Sequence, residues 1–338
     1  VVLDDSPMAD TIDRAIPLPG CDVSLPPLGL GTWAWGDAAT WGMNGYDRSY
    51  SFDTIRAAFQ RSVDAGVTLL DTAEMYGKGE SERIIGRLLD EDPARRARVV
   101  VATKFMPFPW RIPFARQLAD AVRASLERLR MPFVHLYQVH GPISLRSASS
   151  TAAALAAPVR DGLIKAVGVS NYSAAEVRAL HAALAKHGVA LATNQVEFSL
   201  LRAMPERGGL LAACRELGVT VLAYSPLAMG RLTGKYDAAN PPPGKRNFSA
   251  YPMAELEPLV AALRQLGERL DGKTPAQVAL NWIMRKGVVP IPGAKNAAQA
   301  EQNAGALGWQ LTPDDVAALD RLAKFGQRGI FNRVWQHG

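Results

Sequence analysis

Short apolar segments rich in β-branched residues alternate with longer amphipathic segments along the chain, and the alternation recurs eight times. The short segments predict strands and the longer, Ala/Leu/Arg-rich segments predict helices, which is the pattern of repeated βα units. The predicted strands are residues 27–31, 67–71, 99–104, 134–140, 165–170, 192–198, 219–224 and 288–292. The predicted helices are about 52–65, 80–90, 115–130, 147–161, 173–187, 206–217, 254–286 in two pieces, 297–306 and 313–324. Eight such units without a break in composition predict a single closed (β/α)₈ TIM barrel of the α/β class rather than an open doubly wound sheet.

The 338 residues exceed the ~250 of a typical barrel, and the excess lies in identifiable segments. The Trp/Gly-rich stretch 32–50 and the Pro/Gly-rich stretch 228–252 both follow predicted strands, so we expect them to be extended loops on the catalytic face. Residues 325–338 form a C-terminal tail that could fold back over the same mouth. We therefore predict one domain over residues 1–338, with its core at about 25–325.

Composition and charge exclude several classes of protein. No apolar stretch reaches the ~18 residues expected of a membrane span, so no membrane partner is expected. The two cysteines, Cys21 and Cys214, indicate a reducing compartment, and the acidic first residues do not resemble a signal peptide, so we expect a cytoplasmic protein. The net charge of +6 comes from scattered basic residues, which argues against nucleic-acid binding, and His and Cys show no metal-ligand spacing.

Four polar residues follow three consecutive predicted strands. Asp71 and Tyr76 follow one strand, Lys104 ends the next, and His140 ends the third. Taken alone, Asp71 could be a helix N-cap and Tyr76 a packing residue. Lys104 alone could be a solvated strand end, and His140 a turn residue. Because parallel strands end on the same face, all four are expected to converge in one site.

Such a cluster predicts a tuned proton donor. A phenol with a pKa near ~10 is a poor acid at neutral pH, and a neighbouring ammonium favours the phenolate. Asp71 is the expected counter-ion of Lys104, and His140 could orient an incoming carbonyl oxygen. The site therefore suits protonation of an oxygen on which negative charge develops, as carbonyl reduction by hydride requires.

The second half of the chain predicts a cradle for a hydride-carrying cofactor. Ser170 and Asn171 end one predicted strand, and Tyr224 ends another, where its ring could stack on a flat ring. Lys295 precedes a predicted helix, and a helix N-terminus beside a lysine can bind phosphate. Ser170 and Asn171 could instead be simple helix caps, and Lys295 a solvated residue. The G-x-G-x-x-A run at 29–34 is not followed by a helix start, so we interpret its glycines as a tight strand exit rather than a Rossmann fingerprint.

These motifs resemble the aldo-keto reductase family. They include Asp71-Thr-Ala-Glu-Met-Tyr76-Gly, Lys104 and His140 at strand ends, GVSN, NQVEF, AYSPLAMGRLTGKY and IPGAKNAAQAEQNAGALGW, in the family's order over about 25–325. The resemblance implies a (β/α)₈ barrel that reduces aldehydes and ketones with NADPH and without a metal. It implies Tyr76 as general acid, tuned by Lys104 and Asp71, with His140 orienting the carbonyl.

The resemblance also implies a set of cofactor-binding residues. Ser170, Asn171 and Gln195 would hold the carboxamide, and Tyr224 would stack on the nicotinamide. The remaining residues would lie along the phosphates and the adenine end or near the cofactor: Thr32, Trp33, Ser225, Leu227, Gly230, Gly293, Lys295 (on the 2′-phosphate), Gln299 and Asn303. The loop at Gly293 and Lys295 resembles the variant that lacks the Lys-Ser start of the best-known mammalian branch, which leaves the preference for NADPH over NADH open.

Within the family, Gly31-Thr-Trp-Ala-Trp-Gly-Asp and Pro109-Trp110-Arg111 are most similar to a plant and bacterial group that includes pyridoxal reductases. Trp33 and Trp110 are then candidate walls of the carbonyl pocket, although tryptophan at a loop start can also be packing. The main prediction is an NADPH-dependent carbonyl reductase, reversible in principle. The alternatives are a pyridoxal reductase and a cofactor-binding, redox-sensing regulatory subunit. The physiological substrate and the oligomeric state stay open.

Overall fold

The computed structural model describes residues 14–43, 47–243, 251–327 and 335–338. The acidic start of the chain, on which the absence of a signal peptide was predicted, lies outside the described residues. So do parts of both long loops and of the tail, namely residues 44–46, 244–250 and 328–334. The assignment of the chain to one domain stays a prediction.

Eight parallel strands form the centre of the molecule, as the alternating pattern predicted. They follow a short hairpin whose strands, β1 (Ile16–Pro17) and β2 (Ser24–Leu25), have two residues each. Each of the eight barrel strands pairs with its neighbour in chain order. The strands are β3 (Gly29–Gly31), β4 (Leu69–Asp71), β5 (Val100–Phe105), β6 (Val134–Val139), β7 (Ile164–Ser170), β8 (Leu191–Glu197), β9 (Thr220–Tyr224) and β10 (Val289–Pro290). The Gly31 amide donates to the Pro292 carbonyl at 3.0 Å, and Gly31 also bridges to Gly293, so the last strand meets the first. The predicted (β/α)₈ barrel is confirmed.

Helices surround the barrel. They are α1 (Phe52–Asp64), α2 (Glu80–Glu91), α3 (Pro93–Arg96), α4 (Phe114–Leu129), α5 (Ala148–Arg160), α6 (Ala174–Ala185), α7 (Met204–Arg207), α8 (Leu210–Glu216), α9 (Met253–Arg269), α10 (Pro275–Arg285), α11 (Ala297–Ala304) and α12 (Pro313–Leu322). A capping box begins α6, since the Ser173 hydroxyl accepts from the Glu176 amide and the Glu176 carboxylate accepts from the Ser173 amide. In the described part of the chain, no helix has the length and apolar character needed to cross a membrane.

The core has two layers, one inside the barrel and one between barrel and helices. Large apolar side chains such as Phe59, Tyr137 and Trp282 are buried in the outer layer. Inside the barrel, Leu25 of the hairpin packs in one cluster with Leu136 and Leu222 of the strands. The hairpin precedes the first barrel strand and shields the amino-terminal end of the barrel interior. It was not predicted, because two-residue strands are too short to show a periodic pattern. The active site of such a barrel lies at the opposite end, where the carboxyl ends of the strands lead into the long loops.

Candidate active site

Three of the four predicted proton-handling residues are in direct contact. Asp71 is the last residue of β4, Lys104 lies in β5, and Tyr76 begins a 3₁₀ turn, Tyr76–Gly79, that leads into α2. Lys104 Nζ lies 2.5 Å from Asp71 Oδ1 and 3.3 Å from Tyr76 Oη. His140, the residue after β6, lies beside the phenol with ring centroids 5.7 Å apart. The structure thus brings all four residues together at the carboxyl ends of three neighbouring strands.

A tight turn presents Tyr76. Gly77 has φ of 55°, a left-handed conformation that costs glycine little. A Cβ at this position would lie 2.8 Å from the Gly36 carbonyl oxygen of the loop after β3. Glycine therefore lets the turn pack against that loop, which places the phenol at the mouth of the barrel.

The Lys104 ammonium is held by a buried carboxylate. Lys104 and Asp71 are 0% and 2% exposed, so each charge would be costly without the other. Burial lowers the pKa of Lys104, and the Asp71 charge acts in the opposite direction. The Thr72 carbonyl accepts a further hydrogen bond from the ammonium at 2.8 Å. The ion pair is thus fixed below the phenol.

The pKa of Tyr76 differs from the sequence-based expectation. Protein atoms crowd the phenol, and this desolvation, followed by the Asp71 charge, raises the pKa of Tyr76 well above its ordinary value. We expected the ammonium to lower that pKa. Burial disfavours the phenolate and the Asp71 charge adds to this effect, so together they outweigh the stabilisation that the Lys104 ammonium gives. Tyr76 therefore stays protonated at neutral pH, as an ordinary phenol also does, and that is the state that a proton donor needs.

A cavity of about 240 Å³ lies in front of this cluster. Its lining residues are Trp33, Met75, Tyr76, His140, Ser170, Asn171, Gln195, Tyr224 and Trp335. Trp33, one of the two predicted walls, is among them. Trp110, the other, is not: it is 72% exposed and stacks on Phe108 with ring centroids 4.5 Å apart, which holds its ring outside the cavity.

The second aromatic wall comes from the tail instead. The Trp335 ring lies 5.5 Å from the ring of His140 and packs on Gly141. The sequence indicated that the tail could return to the barrel mouth, but no pattern in it singled out this tryptophan. Its aromatic character was the available signal.

A larger cavity of about 650 Å³ adjoins the first and shares Trp33, Tyr76 and Tyr224 with it. The remaining predicted cofactor residues line it: Thr32, Ser225, Leu227, Gly230, Gly293, Lys295, Gln299 and Asn303. Ser170, Asn171 and Gln195 line the smaller cavity. Every predicted cofactor residue therefore faces one of two adjoining cavities that meet at Tyr76.

Polar groups gather where the cavities meet. Tyr224 Oη donates to Asn171 Oδ1 at 3.0 Å, which fixes the tyrosine ring beside the amide. The Ser170 hydroxyl donates to the Gln195 carbonyl at 2.8 Å. Gln195 Nε2 donates to Asp71 Oδ2 at 2.7 Å, a contact that sequence analysis did not anticipate. Gln195 therefore connects the proton-donor cluster to the cavity lining.

The far end of the larger cavity carries a cation. Lys295 precedes α11, whose N-cap is Asn296, and its ammonium donates to the Trp41 carbonyl at 2.5 Å. Asp47 lies 3.5 Å from that ammonium. Tyr50 is 3% exposed, lines the same cavity, and its hydroxyl has no hydrogen-bond partner among the described residues. The Lys295 ammonium is the group in this part of the cavity that suits an anionic ligand group.

Several residues of this cavity were not predicted from the sequence. Trp41, Asp47 and Tyr50 belong to the stretch 32–50, which was expected on the catalytic face without an assignment of individual residues. Lys235 follows the 3₁₀ segment Ala228–Thr233 and also lines the cavity. Among the described residues, no group of three or more His, Cys, Asp and Glu side chains is arranged to hold a metal ion.

The chain is similar in sequence and in fold to known proteins. The sequence model of the Aldo/keto reductase family matches residues 27–324. The chain is 38% identical over 325 residues to the chloroplastic pyridoxal reductase of Arabidopsis thaliana, covering 93% of this chain and 87% of the relative. It is similar to the glycerol dehydrogenase structure from Gluconobacter oxydans, with a TM-score of 0.78, 29% identity and coverage of 95% and 98%. An aldo/keto reductase structure from Klebsiella pneumoniae in complex with NADP and acetate is similar with a TM-score of 0.69, 29% identity and coverage of 90% and 94%.

Proposed function

Since the chain belongs to the aldo/keto reductase family, and is therefore an oxidoreductase of carbonyl groups, we propose that it reduces aldehydes and ketones to alcohols with NADPH. The observation that carries this proposal is the Tyr76 hydroxyl 3.3 Å from a buried, ion-paired ammonium at the junction of two cavities. A carbonyl in the smaller cavity would face the phenol, and a dinucleotide in the larger one would face the same point. The reaction is reversible in principle.

The residues lining the larger cavity fit a dinucleotide. The Tyr224 ring stands at one end, where the larger cavity meets the smaller one, and the amide-binding side chains of Asn171 and Gln195 line the smaller cavity beside it. Lys295 and the N-terminus of α11 stand at the other end. When bound, NADPH supplies the hydride that reaches the carbonyl carbon. Ser170, Asn171 and Gln195 would orient the carboxamide, and Tyr224 would stack on the nicotinamide.

The protein's own residues would handle the proton. Tyr76 donates its proton to the carbonyl oxygen as negative charge develops there. The phenolate left behind is stabilised by the Lys104 ammonium, and Asp71 keeps that ammonium charged and in place. His140 is neutral and can donate a hydrogen bond that orients the carbonyl oxygen.

Spectrophotometry with a panel of carbonyl compounds tests the proposal. NADPH absorbance would be followed with pyridoxal, aromatic aldehydes, short-chain aldehydes and keto-steroid-like ketones. Turnover of any of them with the purified protein supports the reductase. NADPH binding without turnover of any of them would contradict it and favour the redox-sensing regulatory subunit.

Pyridoxal is the narrower candidate substrate. The plant relative named pyridoxal reductase is 38% identical, and the smaller cavity has two tryptophan walls that suit a flat aromatic aldehyde. If pyridoxal has the highest kcat/KM in the panel, the protein is a pyridoxal reductase.

As for location, the unpaired cysteines Cys21 and Cys214 support a reducing compartment, and we propose the cytoplasm, although the plant relative is named as chloroplastic.

Lys295→Met is expected to raise the Kd of NADPH about 10-fold or more, with that of NADH changed less than about twofold, because only NADPH carries the 2′-phosphate. Fluorescence titration with each cofactor measures both constants. Lys286→Met is the matched control. Lys286 is the C-cap residue of α10, is largely buried, and forms an ion pair with Asp320, so its loss should leave both cofactor constants unchanged. An unchanged NADPH Kd in Lys295→Met would move the phosphate site elsewhere.

The pH profile of reduction should lack a step from His140. Burial, and then the Lys104 charge, lowers the pKa of His140 well below its ordinary value. An imidazole that ordinarily titrates near ~6.5 therefore stays neutral, and kcat/KM should be flat between about pH 6 and 8. His140→Gln should lower kcat/KM without changing the shape of the profile. A step near pH 6.5 that disappears in this variant would show that His140 carries a proton in the reaction.

A further inference from the structure

One layer of side chains inside the barrel includes Lys104 of the proton-donor cluster. Lys104 of β5 is the register partner of Gln138 of β6, which is the partner of Gly168 of β7, which in turn pairs with Thr193 of β8. Paired residues of parallel strands point to the same face of a sheet. Gln138 and Thr193 therefore share the inner face with Lys104, and all three side chains are fully buried.

A glycine in this layer lets two side chains meet across a strand. Thr193 Oγ1 donates to Gln138 Oε1 at 3.3 Å, past the backbone of β7. A Cβ at Gly168 would lie 2.1 Å from Thr193 Oγ1 and 2.9 Å from Gln138 Cγ. Any larger residue at 168 would separate the glutamine from the threonine, so the gap in β7 is what permits the contact.

The other end of the Gln138 amide reaches the carboxylate of the cluster. Gln138 Nε2 donates to Asp71 Oδ2 at 3.3 Å. The chemistry sets the orientation of the amide, because an ionised carboxylate only accepts hydrogen bonds and the Thr193 hydroxyl can donate to Oε1. Gln195 donates to the same carboxylate oxygen but also lines the smaller cavity, whereas Gln138 lines neither cavity. Gln138 therefore holds Asp71 independently of any bound molecule.

We propose that Gln138 is a positioning residue for proton transfer: it holds the Asp71 carboxylate so that the Lys104 ammonium stays below the Tyr76 hydroxyl. The Thr193 hydroxyl in turn orients the Gln138 amide. This inference rests on the proposed function. A neutral donor is suited to the position, because a carboxylate would repel Asp71 and an ammonium would compete with Lys104 for it.

The charged and titratable groups around Lys104 determine how its pKa should respond when the Gln138 amide is removed. They are Asp71 of β4, Tyr76 of the 3₁₀ turn, Glu82 of α2 and His140 after β6. Glu82 is itself engaged by Thr103 at 2.6 Å and by Arg128 at 2.6 Å, which leaves Asp71 as the principal counter-ion. Burial lowers the pKa of Lys104, and the Asp71 carboxylate opposes this effect. When that carboxylate is held less firmly, it opposes the effect less, and the ammonium would lose its proton at lower pH.

Gln138→Met, which keeps the side-chain length but removes the donor, tests the proposal. We expect kcat to fall about 10-fold, with KM and the NADPH Kd changed less than about twofold, and the alkaline limb of the kcat profile to move to lower pH. Thr193→Val should change kcat in the same direction by a smaller factor. Thr151→Val, which removes a buried hydroxyl of α5 that donates to the Ser147 carbonyl, should leave kcat and the profile unchanged.

A second readout needs no turnover. The Lys104 side chain can be titrated by NMR, with its signal assigned by its absence in Lys104→Met. We expect it to titrate at lower pH in Gln138→Met than in the unchanged protein or Thr151→Val. An unchanged titration together with unchanged kcat would overturn the proposal, and Thr193→Val decides in the same way if Gln138→Met does not fold. A shifted titration in a protein that reduces no carbonyl would contradict the proposed function alone.

Discussion

Replacement of Tyr76 by phenylalanine is expected to lower kcat for carbonyl reduction by about 10³-fold or more while the Kd of NADPH changes less than about twofold. Phenylalanine keeps the ring that fills the space between Trp33 and His140 but lacks the proton that the carbonyl oxygen must receive. The phenol is protonated at neutral pH, and burial, by raising the pKa of Tyr76, keeps it so to higher pH. Single-turnover absorbance measurements and fluorescence titration separate the two constants.

A second phenol serves as the control for this experiment. Tyr137 of β6 is fully buried, and its hydroxyl has no hydrogen-bond partner among the described residues. Tyr137→Phe should therefore leave kcat within about twofold and stability little changed. Retained turnover in Tyr76→Phe would remove Tyr76 from the reaction and require another proton source in the cavity.

Replacement of Lys104 by methionine should have a double effect. It leaves the Asp71 carboxylate buried without its cation, which typically costs about 3–5 kcal/mol of the free energy of unfolding. It also removes the charge that stabilises the phenolate, so kcat should fall by about 10²-fold or more. Urea unfolding measures the first effect, and steady-state kinetics measures the second.

The double variant Asp71→Asn/Lys104→Met separates the two effects. With no uncompensated charge left, we expect most of the lost stability to return, because a neutral amide can still accept and donate hydrogen bonds there. Activity should stay low, since the ammonium is still missing. Recovery of activity along with stability would show that Lys104 acts only as a structural ion-pair partner.

The barrel was largely predictable. Each predicted strand end lies within two residues of the observed one, because every strand is an apolar run followed by a separate amphipathic segment. The N-terminal hairpin was missed because its strands are two residues long and are stabilised by contacts with the barrel interior rather than by a local pattern.

The membership of the site was predictable to a lesser degree. Residues at strand ends, such as Lys104 and Tyr224, could be assigned because the barrel rule places strand ends on one face. Trp110 was assigned to the pocket and is not part of it, since stacking on Phe108 turns it outward. Trp335 takes that place from the tail, more than 200 residues further along the chain than Trp110, and no local pattern singles out this tryptophan.

What the sequence alone determined is the order of strands and helices, the closed barrel, and the chemical types of residue at its mouth. These depend on local periodicity and on chain order, which are visible without coordinates. Only the tertiary structure decided which side chains touch, namely Gln195 and Gln138 on Asp71 and Tyr50 beside Lys295, and in which direction the pKa of Tyr76 shifts. The physical reason is that hydrogen bonding and desolvation depend on ångström-scale distances between residues far apart in the chain, set by strand register and by glycine gaps such as Gly168.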